Sequence, residues 1–274
     1  MCEFMRARAR GGLPLLCNSH PSYPFDDTSV ANSLLQYYNT QKDPSTGKPL
    51  DYQDTLLNVL ADEKARGVPI KYLQLDSWWY TQGKGGGVTN WSATSKTFPN
   101  GLLPFYEQVK MPFYAHNRYW AAENVYAKQN GGDYDFIVEE DNQMAVPLEQ
   151  RFWDDLLFNA TQWGMTVYEQ DWLYNEAEGL NATRESATLT EQWLTQMATA
   201  AQKLNVTVQY CMSLPRFVMM AAQLPAVTQV RAGDDYGPGQ TASCSFPYCV
   251  YYIGTSSLLA WALAIAPSKD DCEK

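Results

Sequence analysis

The sequence predicts an α/β fold, a (β/α)8 barrel of the TIM type, on the strength of three observations. Short apolar strand candidates alternate with helix candidates at least five times, as in a parallel sheet covered by helices. No G-x-G-x-x-G motif follows a strand candidate, which disfavours a doubly wound dinucleotide-binding sheet. Polar residues follow the strand candidates, at the rim where barrel enzymes build active sites; they are Asp76, His116, Asp171, Cys211, Asp234 and Asp235.

The first half of the chain begins its regular structure with a helix in "LDYQDTLLNVLADEKARG". Asp51 can cap this helix, and Gly67 can end it because glycine accepts a left-handed backbone. The strand candidates "IKYLQLD" and "MPFYAHN" follow, separated by "YTQGKGGGVTNWSATSKTFPNG". That segment lacks the order of a phosphate-binding loop, so we expect a flexible loop over the site. We expect the chain from the second strand to Val146 to be irregular.

The second half repeats helix and strand more regularly. "EQRFWDDLLFNATQWG" predicts a helix that ends at Gly164 and leads into the strand "MTVYEQD". A second helix is predicted from apolar residues at helical spacing, with its apolar side in the core; they are Leu189, Trp193, Met197, Ala201 and Leu204. The strand "VTVQYCM", the helix "PRFVMMAAQ", the strand "VTQVRAGDD", the helix "YYIGTSSLLAWA" and the strand "LAIAPSKD" complete the pattern.

The number of strands predicts a barrel that is incomplete at one or both ends, as in a fragment. About six strands run from "IKYLQLD" onward, with "LPLLCN" as a remnant of a first one, whereas a closed barrel needs eight. We therefore divide the chain into an irregular N-terminal segment, 1–50, and a barrel catalytic domain, 51–274. Open edges of parallel sheet invite pairing with another chain, so self-association is a further expectation.

Composition excludes several classes of partner. The 274 residues carry a formal net charge of −10, which disfavours nucleic acid because binding it requires a basic surface. No apolar run approaches the roughly 20 residues of a membrane span. The chain has six scattered cysteines and only two histidines, His20 and His116, so we predict no metal site and no cofactor.

Four N-x-S/T triplets indicate the secretory pathway, with an extracellular or lysosomal destination. They begin at Asn90, Asn159, Asn181 and Asn205. The first residues, "MCEFMRARARGGLPLLC", offer no clear signal peptide because their apolar stretch is too short. The sequons therefore carry this prediction without support from a leader.

Pairs of acids at strand ends are the candidates for catalysis. Glu169 and Asp171, in "TVYEQDWL", are two residues apart and point to one side of an extended chain. In "VRAGDD", alternation places Arg231 and Asp235 on one face. Two facing carboxylates suffice to hydrolyse a glycoside. An Arg–Asp salt bridge that closes a strand is an equally good interpretation of the second pair.

The motif "LQLDSWW" adds candidates for sugar binding. Asp76 could accept two sugar hydroxyls while Trp78 or Trp79 stacks on the ring. The same spacing fits an aspartate that caps a helix and two indoles in the core, and the residues alone leave both interpretations open.

Five segments, in order, resemble the clan of retaining glycoside hydrolases that holds the melibiase-type α-galactosidases and the raffinose synthases. They are "GVPIKYLQLDSWW", "FPNGL", "YEQDWL", "VQYCMSLP" and "VRAGDDYGP". The resemblance implies that Asp171 is the nucleophile and Asp235 the acid/base. It implies an oligosaccharide or glycoconjugate substrate, held by Asp76, Trp78, His116 and Arg231 in a pocket that Cys211 lines.

Two departures from the family pattern fall on substrate-binding positions. Glu169 stands where the K-x-D motif of the family has lysine, and Ser77 replaces the second acid of D-D-x-W. The resemblance therefore implies a retaining glycosidase for an α-linked sugar that need not be galactose. The alternatives are transfer to a second sugar, as in raffinose synthases, a sugar-binding barrel without catalysis, and catalysis in which Glu169 is one of the pair.

Overall fold

A parallel sheet of six strands organises the computed structural model, which describes residues 40–67, 70–233 and 248–268. In spatial order the strands are β1 (Leu73–Leu75), β4 (Phe113–Asn117), β8 (Met165–Gln170), β9 (Thr207–Tyr210), β10 (Val227–Arg231) and β11 (Ala266–Ser268). All neighbouring pairs are parallel. The predicted parallel α/β sheet is thus confirmed, whereas the strands within these residues do not close into a barrel. Strands β1 and β11 form its two edges.

The helices follow the strands, as the alternating pattern predicted. They are α1 (Tyr52–Arg66), α2 (Leu102–Val109), α3 (Gln150–Gln162), α4 (Leu173–Gly179), α5 (Asn181–Glu185), α6 (Leu189–Lys203), α7 (Pro215–Ala221) and α8 (Tyr248–Ala262). The side chain of Asp51 caps α1 by accepting the backbone N–H of Asp54, and Gly67 ends it at φ 77°. Both terminal signals of this helix are confirmed. Among the described residues, no helix has the length and apolar content that crossing a bilayer requires.

A second sheet lies in segments that we expected to be a loop and irregular chain. Its strands, in spatial order, are β2 (Thr81–Gln82), β3 (Val88–Asn90), β5 (Trp120–Ala121), β7 (Met144–Pro147) and β6 (Phe136–Glu139). Both expectations were wrong because strands of two to four residues are too short to show an alternating pattern. The segments that form this sheet, 81–90 and 120–147, follow the carboxyl ends of β1 and β4 in the chain, so the sheet stands beside the rim of the larger one.

Helices α3 and α6 cover one face of the large sheet. Trp153 of α3 stacks on Trp193 of α6 with ring centroids 6.4 Å apart, and Tyr168 of β8 meets the edge of Trp153 at 6.0 Å. In register with Tyr168 lie Ala115 and, on the next strand, Val208. We call the side of the large sheet that carries Ala115, Tyr168 and Val208 and that α3 and α6 cover the outer face. The predicted core stripe on α6 is confirmed, since Trp193, Met197 and Ala201 are fully buried.

The opposite side, the inner face, carries polar residues. Pairing between strands places His116, Glu169 and Gln209 in one row. Gln74 of β1 lies on the same face, because its side-chain nitrogen reaches the carboxylate of Glu169 at 3.0 Å. All four are buried. The inner face is therefore where the described part of the chain gathers groups capable of chemistry.

Two expected features lie largely outside the described residues. Of the N-terminal segment 1–50, the structure describes residues 40–50, where an isolated bridge joins Lys42 and Pro49. The remnant strand "LPLLCN" falls outside the described residues, as do Asp234 and Asp235.

Candidate active site

Asp171 lies at the carboxyl end of β8, where backbone pairing continues beyond the strands. Its backbone N–H donates to the carbonyl of Asn117 at 2.8 Å, and the N–H of Cys211 donates to the carbonyl of Gln170 at 2.9 Å. These bonds extend the ladders from β4 to β8 and from β8 to β9 by one step. Asp171 is thereby fixed between the ends of two neighbouring strands, with 8% of its surface exposed.

His116 binds the carboxylate of Asp171 directly. Its Nε2 lies 3.0 Å from Oδ2 of Asp171. Its Nδ1 lies 2.9 Å from the hydroxyl of Tyr80, whose ring is nearly parallel to the imidazole at 5.9 Å. The imidazole is thus held on both nitrogens and on one face. Tyr80 was missing from the sequence candidates, although it directly follows the "LDSWW" motif.

The surroundings of Asp171 keep it ionised. Burial by itself would raise the pKa of Asp171, but a hydrogen bond from His116, the charges of His116 and Arg231, and the thiol of Cys211 together lower it to about 2. Arg231 and Cys211 are themselves buried. The structure therefore brings four predicted residues, Asp171, His116, Arg231 and Cys211, into one cluster around a carboxylate that is charged at neutral pH.

Glu169 occupies the same inner face, one row below Asp171. Its Oε2 accepts a hydrogen bond from Nε2 of Gln74 at 3.0 Å, and 1% of its surface is exposed. The two acids lie on one side of the chain, as their spacing indicated. Their surroundings differ, because Glu169 meets an amide of β1 whereas Asp171 meets the imidazole of β4. Gln74 was missing from the sequence candidates.

The tryptophans of "LDSWW" lie in the core, which corrects the expectation of an aromatic sugar platform there. Trp78 stacks on Tyr52 of α1 at 4.2 Å with rings 6° from parallel. Trp79 is fully buried, and its Nε1 donates to the carbonyl of His116 at 3.2 Å. Trp91 donates to the same carbonyl at 2.9 Å. These indoles support the strand that carries His116.

The remaining candidates are Asp76 and Asp235. Asp76 follows β1 and is half-buried, and its carboxylate accepts the backbone N–H of Ser77. The backbone carbonyl of Asp76 accepts the N–H of Trp79 at 3.1 Å, so a turn begins at this residue. The expected acid/base, Asp235, lies outside the described residues, four positions after Arg231.

A polar network that the sequence did not reveal lies behind the site. The side-chain amide of Asn117 donates to the hydroxyl of Tyr168 at 2.6 Å, and that hydroxyl donates to Gln170 at 3.0 Å. Nε2 of Gln170 donates to the backbone carbonyl of Asp171 at 3.1 Å and lies 3.4 Å from Glu176. Burial raises the pKa of Glu176 well above its ordinary value. This network holds the backbone at Asp171 from the outer side.

A cavity of about 440 Å³ borders α3, apart from this cluster. Aromatic side chains form much of its wall, among them Trp79, Trp91, Tyr126 and Trp163. None of the residues in contact with the carboxylate of Asp171 lines it, so the cavity is not part of the candidate site.

Comparison with known proteins identifies a fold. No family model and no curated protein matches the chain. A solved structure of a MUTB mutant from crystals soaked with trehalulose matches with a TM-score of 0.52 and 8% identity, over 82% of this chain and 53% of that one. The described part of the chain shares a parallel α/β arrangement of strands and helices with that structure. At this level of identity the likeness concerns the fold alone.

Two further solved structures are α-galactosidases by description. The enzyme from Thermus thermophilus in complex with stachyose matches at 14% identity with a TM-score of 0.45, over 79% of this chain and 57% of that one. The galactosidase domain of an α-galactosidase–sucrose kinase matches at 12% identity with a TM-score of 0.49, over 80% and 31%. The chain thus spans less than two thirds of the length of these proteins.

Proposed function

We propose that the protein is a retaining glycosidase that acts on an α-linked sugar, with Asp171 as the nucleophile. The observation that carries the proposal is the buried carboxylate of Asp171, which His116 and Arg231 keep ionised at the carboxyl end of a parallel strand. In a sheet of this fold class, the carboxyl ends of the strands are where catalytic groups lie.

The geometry suits nucleophilic attack by one oxygen. His116 binds Oδ2 of Asp171, and Oδ1 is buried without a hydrogen-bond partner among the described residues. We propose that Oδ1 attacks the anomeric carbon and forms a covalent glycosyl-enzyme once the sugar is bound. Asp235 gives its proton to the leaving oxygen, and as a carboxylate it then takes a proton from the water that releases the sugar. The fixed charge of Arg231 keeps Asp171 anionic and ready to attack.

The assignment of Asp235 rests on the resemblance and on its position after Arg231. A retaining mechanism requires the two carboxyl groups to be about 5–5.5 Å apart. An experimental structure with a bound glycoside tests this requirement. A separation of about 6.5–9.5 Å would indicate inversion instead and would remove Asp171 from the role of nucleophile.

For the substrate we propose an α-linked oligosaccharide or glycoconjugate, with galactose as the first sugar to test. Glu169 stands in place of the family's lysine and accepts a hydrogen bond from Gln74, so we propose that it changes the preference among sugars. We also propose the secretory pathway as the location. Three of the four sequon asparagines, Asn159, Asn181 and Asn205, are exposed, whereas Asn90 is half-buried.

Turnover of nitrophenyl α- and β-glycosides, followed by trapping, tests the proposal. We expect an α-glycoside to be cleaved, and a fluorosugar inactivator to label the peptide that contains Asp171. Glu169→Gln is the matched variant, because it changes the neighbouring acid on the same face. A label on Glu169 would contradict the assignment, and sugar binding without turnover would favour a barrel without catalysis.

A further inference from the structure

Trp172, which directly follows the proposed nucleophile, has a backbone conformation that is rare for its residue type. It lies in the left-handed region at φ 53° and ψ 32°, immediately before α4. A bulky side chain in this region is strained, and strained residues cluster at binding and catalytic sites. Glycine would accept the same backbone without strain. The chain nevertheless places a half-buried indole beside Asp171.

Arg118 lies against this indole. The carbon of its guanidinium group is 5.0 Å from the centroid of the Trp172 ring, within the range of a cation–π contact. Arg118 follows β4 as Trp172 follows the end of β8, and these strands are neighbours in the large sheet. The pair therefore stands at the rim on the two strands that supply His116 and Asp171.

The guanidinium group also has a hydrogen-bond donor to spare. Its Nη1 lies 3.4 Å from Oε1 of Gln82 and 3.5 Å from the carbonyl of Gly86, both long distances. Its Nε is buried, and the residues that the structure describes provide no acceptor for it. A buried donor without an acceptor is uncommon in folded proteins and calls for an explanation, such as a ligand.

We propose that Trp172 and Arg118 form the sugar-binding subsite next to Asp171, with the indole stacked on the C–H face of a pyranose ring and the guanidinium group of Arg118 bound to a ring hydroxyl. This inference deepens the proposed function and rests on it for the position of the scissile bond. It assigns to Trp172 the stacking role that the sequence suggested for Trp78 or Trp79. Those two indoles are buried in the core, whereas Trp172 is half-buried.

Equilibrium binding separates this subsite from catalysis. In an Asp171→Asn background, calorimetry measures the Kd of nitrophenyl α- and β-glycosides without turnover. We expect Trp172→Gly to raise Kd by about three- to tenfold, the worth of an aromatic contact, while Trp172→Phe keeps most of the affinity. Arg118→Gln should raise Kd similarly. Trp78→Phe is the matched control, because it alters a buried indole outside the subsite.

Thermal unfolding accompanies each measurement. Relief of backbone strain in Trp172→Gly offsets the lost packing, so we expect its Tm to stay within a few degrees of the Tm of the parent. Unchanged Kd values in Trp172→Gly and Arg118→Gln would overturn the subsite, as would failure of the parent to bind any of the glycosides. Binding that depends on Trp172, without turnover in the native chain, would support the subsite and contradict the proposed hydrolysis.

Discussion

The two faces of the large sheet differ sharply although the same strands build both. The inner face carries buried polar groups, with His116, Glu169 and Gln209 in one row. The outer face carries Tyr168 and its apolar neighbours under Trp153 and Trp193. Alternation along a strand separates the two sets. Substitutions on the inner face should therefore affect activity, and those on the outer face should affect stability.

Asp171→Asn should have the largest effect. Because an amide cannot form the glycosyl-enzyme, we expect kcat/KM to fall at least about a thousandfold. Steady-state kinetics on the preferred nitrophenyl glycoside measures this loss. Asp133→Asn, at an exposed acid, is the control and should retain activity. Full activity in Asp171→Asn would assign the chemistry to another residue.

Trp153→Ala tests the outer face. Trp153 is fully buried between Tyr168 and Trp193, so its truncation should lower the free energy of unfolding by about 3–5 kcal/mol. Urea denaturation measures the change. Phe158→Ala, at an exposed position of the same helix, should cost about 0.5 kcal/mol or less. Equal losses in the two variants would contradict the packing described for α3.

Acid stability should reflect the lowered pKa of Asp171. A carboxylate with a folded-state pKa of about 2, against 3.8 ordinarily, stabilises the fold above about pH 4 and loses that contribution as the pH falls toward 2. The contribution is of order 2 kcal/mol. His116→Asn removes one cause of the low pKa of Asp171. The acidic limb of the pH profile of kcat/KM should therefore move to higher pH by about one to three units.

The pH dependence of unfolding in native protein, Asp171→Asn and His116→Asn checks this prediction. The native protein should lose stability most steeply between about pH 4 and pH 2, and Asp171→Asn should lose less. An acidic limb that stays in place in His116→Asn would show that another group controls it.

The contribution of Glu176 to stability should depend on pH in the opposite sense to that of Asp171, and Glu176→Gln tests this. Because burial raises the pKa of Glu176, the folded state keeps a proton that the unfolded state releases, and stability falls as the pH rises above the ordinary value of 4.5. Glutamine removes this loss. We expect the free energy of unfolding of the variant to match that of the native protein at about pH 4 and to exceed it at about pH 8.

Denaturation at several pH values measures the difference. Glu178→Gln is the matched control on the same helix, where an exposed carboxylate pairs with Arg216 at 3.1 Å. It should show little effect at any pH. A Glu176→Gln variant that is less stable than the native protein at high pH would mean that the charged carboxylate stabilises the fold.

Trp78→Phe should have the smallest effect on activity. Its indole stacks on Tyr52 within the core, so we expect KM to change by less than about twofold and stability to fall by about 1 kcal/mol. Steady-state kinetics and urea denaturation check both values. A KM that rises as much as in Trp172→Gly would return Trp78 to the sugar-binding role and weaken the contrast between core and site.

The sequence by itself determined the order of helices and strands in the large sheet and the position of Asp171 at a strand end. These features are local, because short apolar runs, an N-terminal cap at Asp51 and a glycine at position 67 act within a few residues. The short strands of the second sheet left no such pattern, since they pair with segments far away in the chain.

Only the tertiary structure decided which side chains meet. The partnership of His116 with Asp171 joins residues 55 positions apart, and that of Gln74 with Glu169 joins residues 95 apart. The sequence suggested Trp78 or Trp79 as the sugar platform and did not single out Trp172. Burial assigns Trp78 and Trp79 to the core, whereas Trp172, with a left-handed backbone, is half-buried directly after Asp171 in the chain. The physical reason is that burial and pKa depend on neighbours that folding brings together from distant parts of the chain.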